Sequence, residues 1–166
     1  VLCYLDLDQM KIINDTCSHE SGDALIKEVT ELIHGCLRES DVLARLGGDE
    51  FGVLLKNCSL NGAAELVESM LSVIRDMRFS RCSRVFDVTA SIGMAAIDSG
   101  SSSTTAVMIE ADLACHAAKE TGGDRFHIYH QGDQGLVRRH TEMQWVTKLT
   151  EAIKSDRLIL YCQDIV

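Results

Sequence analysis

Apolar residues along the chain change period several times, and each change marks an element. Val1-Leu2-Cys3-Tyr4-Leu5-Asp6-Leu7-Asp8 is almost continuously apolar until its acids, which predicts a buried strand. Alternation along that strand puts Asp6 and Asp8 on one face, if the strand runs that far. Lys11 to Ser21 is polar and predicts loop or short-helix material. Leu25, Val29, Leu32, Ile33 and Cys36 then recur at helical spacing, predicting an amphipathic helix from about Gly22 to Leu37. Next, apolar runs flank Gly47-Gly48-Asp49-Glu50, which predicts a β-hairpin of Val42 to Leu46 against Phe51 to Leu55. Both glycines are expected to supply the unusual φ values of its turn.

Ser59 can cap a second helix reaching about Arg78, with Ala63, Val67, Met70, Leu71 and Ile74 inward. Arg84 to Ile97 reads as one strand through the alternating Val88, Ala90, Ile92 and Met94. The polar run from Ser99 to Thr105 leads into a third helix through Lys119, with Met108, Ala111, Cys115 and Ala118 inward. Gly122-Gly123 ends it, and Phe126 to Tyr129 predicts a last strand. The order strand, helix, hairpin, helix, strand, helix, strand implies an α/β (α+β) layered structure. Its central sheet is mostly antiparallel, with an acidic hairpin turn and flanking helices.

The pattern changes after His130. Residues 131–139 read as a linker that opens on Gln131-Gly132-Asp133-Gln134-Gly135. Thr141 to Ser155 predicts a helix with Trp145, Val146, Leu149, Ala152 and Ile153 inward, and Arg157 to Gln163 a strand. This helix and strand have no partner in the pattern, so 140–166 is expected to open a further domain. A start within a buried strand likewise leads to the expectation of chain upstream.

Composition narrows the chemistry. A length of 166 residues with 46% apolar content suits one core and part of a second. The formal charge of −9 repels a phosphate backbone, so nucleic acid is not the expected partner. A phosphorylated small molecule stays compatible if divalent metal offsets the acids locally. Seven scattered cysteines without a Cys-x-x-Cys pair argue against a disulfide framework or a zinc site and suit a reducing, cytoplasmic setting. No apolar run approaches a membrane span, so no membrane contact is expected within this segment.

Three blocks then stand out: Asp6-Leu7-Asp8-Gln9-Met10-Lys11-Ile12-Ile13-Asn14-Asp15, His19-Glu20-Ser21-Gly22-Asp23 and Arg45-Leu46-Gly47-Gly48-Asp49-Glu50-Phe51. With Ala111-Asp112 and Ala117-Ala118-Lys119 as a fourth, they resemble the GGDEF family of diguanylate cyclases over about residues 1 to 130. The stretch from His140 to Val166 resembles the opening of an EAL domain, a cyclic di-GMP phosphodiesterase. The resemblance implies a palm-like nucleotidyl cyclase fold that condenses two GTP into cyclic di-GMP and pyrophosphate across a homodimer. It further implies Mg²⁺ or Mn²⁺, two per active site, held by Asp6, Asp49 and the Leu7 carbonyl, with Asp49 and Glu50 as the catalytic acids. Asn14 and Asp23 would select guanine, Lys11 and Lys119 would reach the phosphates, and Gly47 and Gly48 would let the backbone approach the nucleotide. Arg38 and Asp41, five residues ahead of the Gly-Gly pair, match the family's inhibitory site for cyclic di-GMP.

Plainer readings stand beside these. Asp23 is also a helix-start acid, the lysines suit a solvated surface, Arg38 and Asp41 suit a surface ion pair, and His19 suits loop packing. Departures from the family pattern are Gln9 and Met10, where aromatics are usual, and Gly122-Gly123-Asp124-Arg125 in place of Gly-Arg-Asn. The family's Asp-x-Leu-Thr-Gly stretch ahead of the first strand does not occur in this sequence, which is expected to uncover one sheet face. A regulatory module that binds GTP or cyclic di-GMP and controls a fused EAL phosphodiesterase is the alternative to a cyclase.

Overall fold

The opening apolar run becomes the centre of the sheet. A computed structural model describes residues 1–130, 132 and 152–155 and divides into two units, Val1–Gln131 and Gly132–Val166. In the first unit, β1 (Leu2–Leu7) pairs antiparallel with β3 (Glu50–Leu54) on one side and β6 (Ala90–Ala95) on the other. β2 (Val42–Gly47) lies outside β3, and β7 (Arg125–Ile128) runs parallel beside β6, giving the order β2-β3-β1-β6-β7. The mostly antiparallel sheet with flanking helices is the fold class expected from the sequence.

Alternation sorts the strands into two faces. Cys3, Leu5 and Leu7 share one face with their partners Val53, Phe51, Met94, Ile92 and Ala90. They join a single core with Leu25, Val29 and Ile33 of α2 (His19–Cys36) and Val67, Met70 and Ile74 of α3 (Leu60–Arg75). Leu5 and Phe51 are fully buried, each worth about 1.5–3 kcal/mol relative to exposure. Leu2 and Tyr4 face the other way, toward Ala95 and toward Val107 and Ala111 of α4 (Thr104–Glu120). A Cβ on Gly93 would run into the backbone of Ala111 and Cys115. Glycine there lets α4 lie directly on β6.

The helices start where their caps allow. Ser59 accepts a hydrogen bond from the Gly62 N–H, as expected for α3, and Ser103 does the same for α4 from Ala106. The polar Lys11 to Ser21 stretch is largely helical: α1 (Met10–Thr16) precedes α2, and Ser18 caps α2 so that it begins at His19, three residues before Gly22.

Residues 76–97 differ from the single strand read from the pattern. α3 ends at Arg75, and β4 (Arg78–Arg81) and β5 (Arg84–Asp87) form a separate hairpin before β6 starts at Ala90. Its turn is Cys82-Ser83, both in the left-handed region at φ 53° and 59°. No glycine or asparagine announces it. Phe79 anchors the hairpin in the main core, fully buried.

In the second unit, Ala152 to Lys154 are helical. Ile153 is 65% exposed rather than turned inward as the pattern suggested. The rest of the expected linker and EAL opening lies outside the described residues. Among those described, no helix is long and apolar enough to cross a membrane.

Candidate functional site

The acids converge because β1 lies beside the turn of the β2–β3 hairpin. Asp6 pairs across the strands with Glu50, and the Leu7 N–H donates to the Asp49 carbonyl at 3.2 Å. Gly48 alone takes the positive φ, 51°; Gly47 does not, which corrects the expectation that both glycines supply the reversal. Nothing lies within 4 Å of where a Cβ would stand on either glycine, so the surface over the turn is open. Arg45 braces the turn from β2, donating from Nε (3.0 Å) and Nη2 (2.8 Å) to the Gly48 carbonyl.

Asp6 is the electrostatic centre. Its Oδ2 lies 2.6 Å from Lys119 Nζ, while its Oδ1 is buried without a hydrogen-bond partner. Burial pushes the Asp6 carboxyl up; Lys119 pulls it back, and Asp49 and Glu50 push it up again. Burial works against the Lys119 charge too, yet the hydrogen bond and charge of Asp6, with Cys115 and Asp49, leave its ammonium raised. The Tyr4 hydroxyl, two residues before Asp6 on the same face, is raised by burial and then by its hydrogen bond to Glu50 and the charges of Glu50 and Asp112. Asp6 and Lys119 both hold their protons more tightly, Asp6 chiefly through burial and Lys119 through the hydrogen bond and charge of Asp6 against its own burial.

An oxygen-rich site with an unpartnered buried carboxylate oxygen fits a hard divalent cation. No set of three or more His, Cys, Asp or Glu side chains is poised for a metal among the described residues. Mg²⁺ commonly takes one or two carboxylates and completes its shell from substrate phosphate and water, so two carboxylates and a carbonyl are compatible with it.

Beside the turn, α1, the start of α2 and the hairpin enclose a cleft of about 390 Å³. Lys11, Asn14, Asp23, Gly48 and Asp49 line it, together with His19 and Arg45. Gly22 makes room for Asn14, because a Cβ at 22 would run into Asn14 Oδ1, itself buried without a partner. His19 is exposed at the rim, not packed in the loop. Met10 is buried against the main core while also lining the cleft. Glu50 and Lys119 sit with Asp6, around the edge from this cleft.

Arg38 and Asp41 form a different place, the loop between α2 and β2. Asp41 accepts from the backbone N–H of Arg38 and of Lys56, each at 3.1 Å, so its carboxylate ties this loop to the end of β3. The Arg38 side chain lines a second cleft of about 520 Å³ with His34, Leu37, Glu39, Val42 and Leu43.

Asp8 does not join Asp6, since the strand stops at Leu7. Its carboxylate accepts from Thr89 Oγ1 (2.8 Å), Ser91 Oγ (2.8 Å) and the Asp124 N–H (3.0 Å). It thereby pins the Gly122-Gly123 turn to the sheet. Arg125 folds back to the Gly123 carbonyl at 3.0 Å. Sequence reasoning missed Arg45, Tyr4 and Asp8 as site-builders. Tyr4 and Asp8 left one signal, their alternation with Asp6; Arg45 left none.

Residues 1–125 match the profile of the diguanylate cyclase, GGDEF domain. The chain belongs to the GGDEF family. It is 43% identical over 164 residues to Probable diguanylate cyclase DgcE of Escherichia coli (strain K12), which covers 99% of this chain and 15% of that protein. It is 34% identical over 166 residues to Cyclic di-GMP phosphodiesterase PdeB of Shewanella oneidensis, covering 99% and 19%. The chain thus spans under a fifth of the length of either relative. A solved GGDEF domain, that of DgcB from Caulobacter crescentus in complex with c-di-GMP, superposes with a TM-score of 0.73 at 29% identity, covering 76% of this chain and 75% of that one.

Proposed function

We propose that this GGDEF domain is a diguanylate cyclase that condenses two GTP into cyclic di-GMP and pyrophosphate, one GTP per domain, with two domains meeting head to head. The observation that carries this reading is the cluster at Asp6: a buried, unpartnered Oδ1 beside Glu50 and the Asp49 turn, with Asp49 also lining the neighbouring cleft of about 390 Å³. Asn14 and Asp23 offer an amide and a carboxylate to the guanine edge. Lys11 reaches phosphate from the rim, and Lys119 exchanges Asp6 for phosphate when nucleotide enters. Gly47 and Gly48 keep the floor free of side chains. Asp6, the Leu7 carbonyl and Asp49 would hold Mg²⁺ or Mn²⁺, two per site, with Glu50 as the adjoining acid. Such ions stabilise attacking and leaving oxygens during phosphoryl transfer. Arg38, forking onto phosphate or guanine oxygens, and Asp41 form the inhibitory site for the product.

The test is cyclic di-GMP production from GTP and Mg²⁺ by the wild-type chain and by Asp49→Ala. Product from the first alone supports the assignment. GTP binding without product by the wild type overturns it in favour of a second reading, a GTP- or cyclic di-GMP-sensing domain that controls a fused EAL phosphodiesterase. One observation favours that second reading: Arg125 is turned back onto Gly123 where the family carries Gly-Arg-Asn. For the inhibitory site, Arg38→Ala should relieve product inhibition and leave the initial rate unchanged; retained inhibition would refute it.

A further inference from the structure

The turn that ends α4 is held by a residue from the start of the chain. Lys119 stands in the last turn of α4, and its ammonium reaches Asp6 at 2.6 Å. Beyond it the backbone runs left-handed through Gly122, Gly123 and Asp124, at φ 115°, 69° and 51°. A non-glycine residue such as Asp124 keeps that φ only where its surroundings impose it. Here they do. The Asp124 N–H donates to Asp8 Oδ2 at 3.0 Å, and Arg75 of α3 donates to Asp124 Oδ2 at 2.7 Å. The fit is close: a Cβ on Gly123 would stand 3.0 Å from Asp8 Oδ2. Asp8 is in turn fixed to the start of β6. Its N–H donates to the Thr89 carbonyl at 2.9 Å, and its carboxylate accepts from the hydroxyls of Thr89 and of the fully buried Ser91. One helical turn before Lys119, the Cys115 thiol donates to the Ser91 carbonyl at 3.2 Å. Helix and carboxylate are thus tied to the same residue.

We propose that Asp8 is the positioning residue for Lys119: by clamping the end of α4 to β6 it sets where the lysine ammonium meets the incoming phosphate. This rests on the phosphate role given to Lys119 above. The segment Asp6-Leu7-Asp8 then serves the lysine twice. Asp6 holds its head until nucleotide enters, and Asp8 holds the helix end from which its side chain springs. A lysine is a point charge on a flexible four-carbon stem, so its backbone decides the region it can reach. Once the ammonium exchanges Asp6 for phosphate, the anchored helix end keeps the charge in place. A displacement of about 1 Å in such a group can cost about a hundredfold in rate. Asp8 acts here through its shape and not through its charge. An asparagine meets all three donors, its carbonyl taking Thr89 Oγ1 and the Asp124 N–H while its amide donates to Ser91 Oγ.

The experiment is a double-mutant cycle on the intact chain, read as affinity for 3′-deoxy-GTP with Mg²⁺, an analogue that lacks the attacking hydroxyl. Asp8→Ala should weaken binding about tenfold, the worth of one charge-assisted hydrogen bond. In Lys119→Met, which keeps the stem and drops the ammonium, the same Asp8→Ala change should cost nothing further. Asp8→Asn should bind within about twofold of wild type, since every donor keeps an acceptor. Thr89→Val removes one donor while keeping the shape, and it carries the cycle if Asp8→Ala does not fold. Its loss should be about threefold, again only with Lys119 present. An equal loss with and without the ammonium, no loss in either background, or weak binding by Asp8→Asn would overturn the clamp. A wild-type chain that binds no analogue would overturn the phosphate role of Lys119 and the clamp with it. Analogue binding by the wild type without turnover of GTP would break the cyclase reading alone, and a cycle that still couples Asp8 to Lys119 would then support the clamp.

Discussion

Two hairpins of this domain reverse within two residues, and they meet the same backbone demand with opposite chemistry. Between β2 and β3, Gly48 takes the left-handed φ without a side chain to strain, and Arg45 holds its carbonyl. Between β4 and β5, Cys82 and Ser83 take it with side chains in place. The first turn removes bulk above an acid cluster, leaving open space where a nucleotide would lie. The second retains a free, exposed thiol, Cys82, at its tip. A turn's composition therefore reports what its surface is for as well as how it bends. Glycine leaves the first turn's surface open, and the second turn carries two side chains at a backbone cost.

The largest effect expected from breaking this contrast is at the first turn. Asp49→Ala should lower cyclic di-GMP formation about a hundredfold or more, corresponding to about 3 kcal/mol of lost transition-state stabilisation. Unfolding midpoints should barely move, because the backbone carbonyl that receives the Leu7 N–H is retained. Equal losses of activity and stability would mean that the turn is structural. Cys82→Ser, by contrast, should leave the reduced protein's activity unchanged.

A pH series separates the two turns next, since only the first stands among acids. Burial and the charges of Asp49 and Glu50 lift the Asp6 carboxyl above its ordinary 3.8, against the pull of Lys119. The native chain then holds that proton more tightly than the unfolded one. The contribution is complete below 3.8 and is lost as pH climbs through the elevated folded value. Stability of the ligand-free chain should fall with rising pH across that window, and urea melts of Asp6→Asn should show that part of the curve flattened. A slope that persists in Asp6→Asn would locate the repulsion elsewhere.

The two turns also explain what could be read from the sequence. Gly-Gly-Asp-Glu between apolar runs predicts a hairpin with its acids at the tip, and the apolar stripes of α2 and α3 predict their buried faces. Cys82-Ser83 carries no turn signal, so the β4–β5 hairpin merged with β6 into one apparent strand. The candidate site divides in the same way. Asp6, Asp49 and Glu50 are singled out through the resemblance of their motifs, since an acid at a strand end or a turn reads by itself as a solvated residue. Asp8 looks like their equal in sequence, yet Thr89, Ser91 and Asp124, all far along the chain, claim its carboxylate. Only tertiary contact distinguishes Asp8, fully engaged as an anchor, from Asp6, whose Oδ1 is buried without a hydrogen-bond partner. Arg45 was hidden for a similar reason: its role depends on the turn's backbone folding back to it.

Between the glycines the contrast sharpens to single methyl groups. Gly48→Ala forces a Cβ into the left-handed region and should cost about 1–2 kcal/mol. Gly47→Ala has ordinary φ and open space around it, so its denaturation midpoint should stay close to wild type. Equal costs at both positions would show that steric contact, not backbone conformation, selects glycine there.

The smallest effect tests whether the second turn is strained at all. Cys82→Asn with Ser83→Gly installs the pair that a two-residue turn of this hand prefers. Relief of a left-handed residue gains about 1 kcal/mol, and the freer unfolded chain at the new glycine offsets part of it. A net stabilisation of about 0.5 kcal/mol is expected in urea melts of the reduced protein. A destabilised variant would mean that the Cys82 and Ser83 side chains hold the hairpin by more than their backbone strain costs. A stabilised one would show that backbone conformation dominates at this tip, where an exposed Cys82 packs against little.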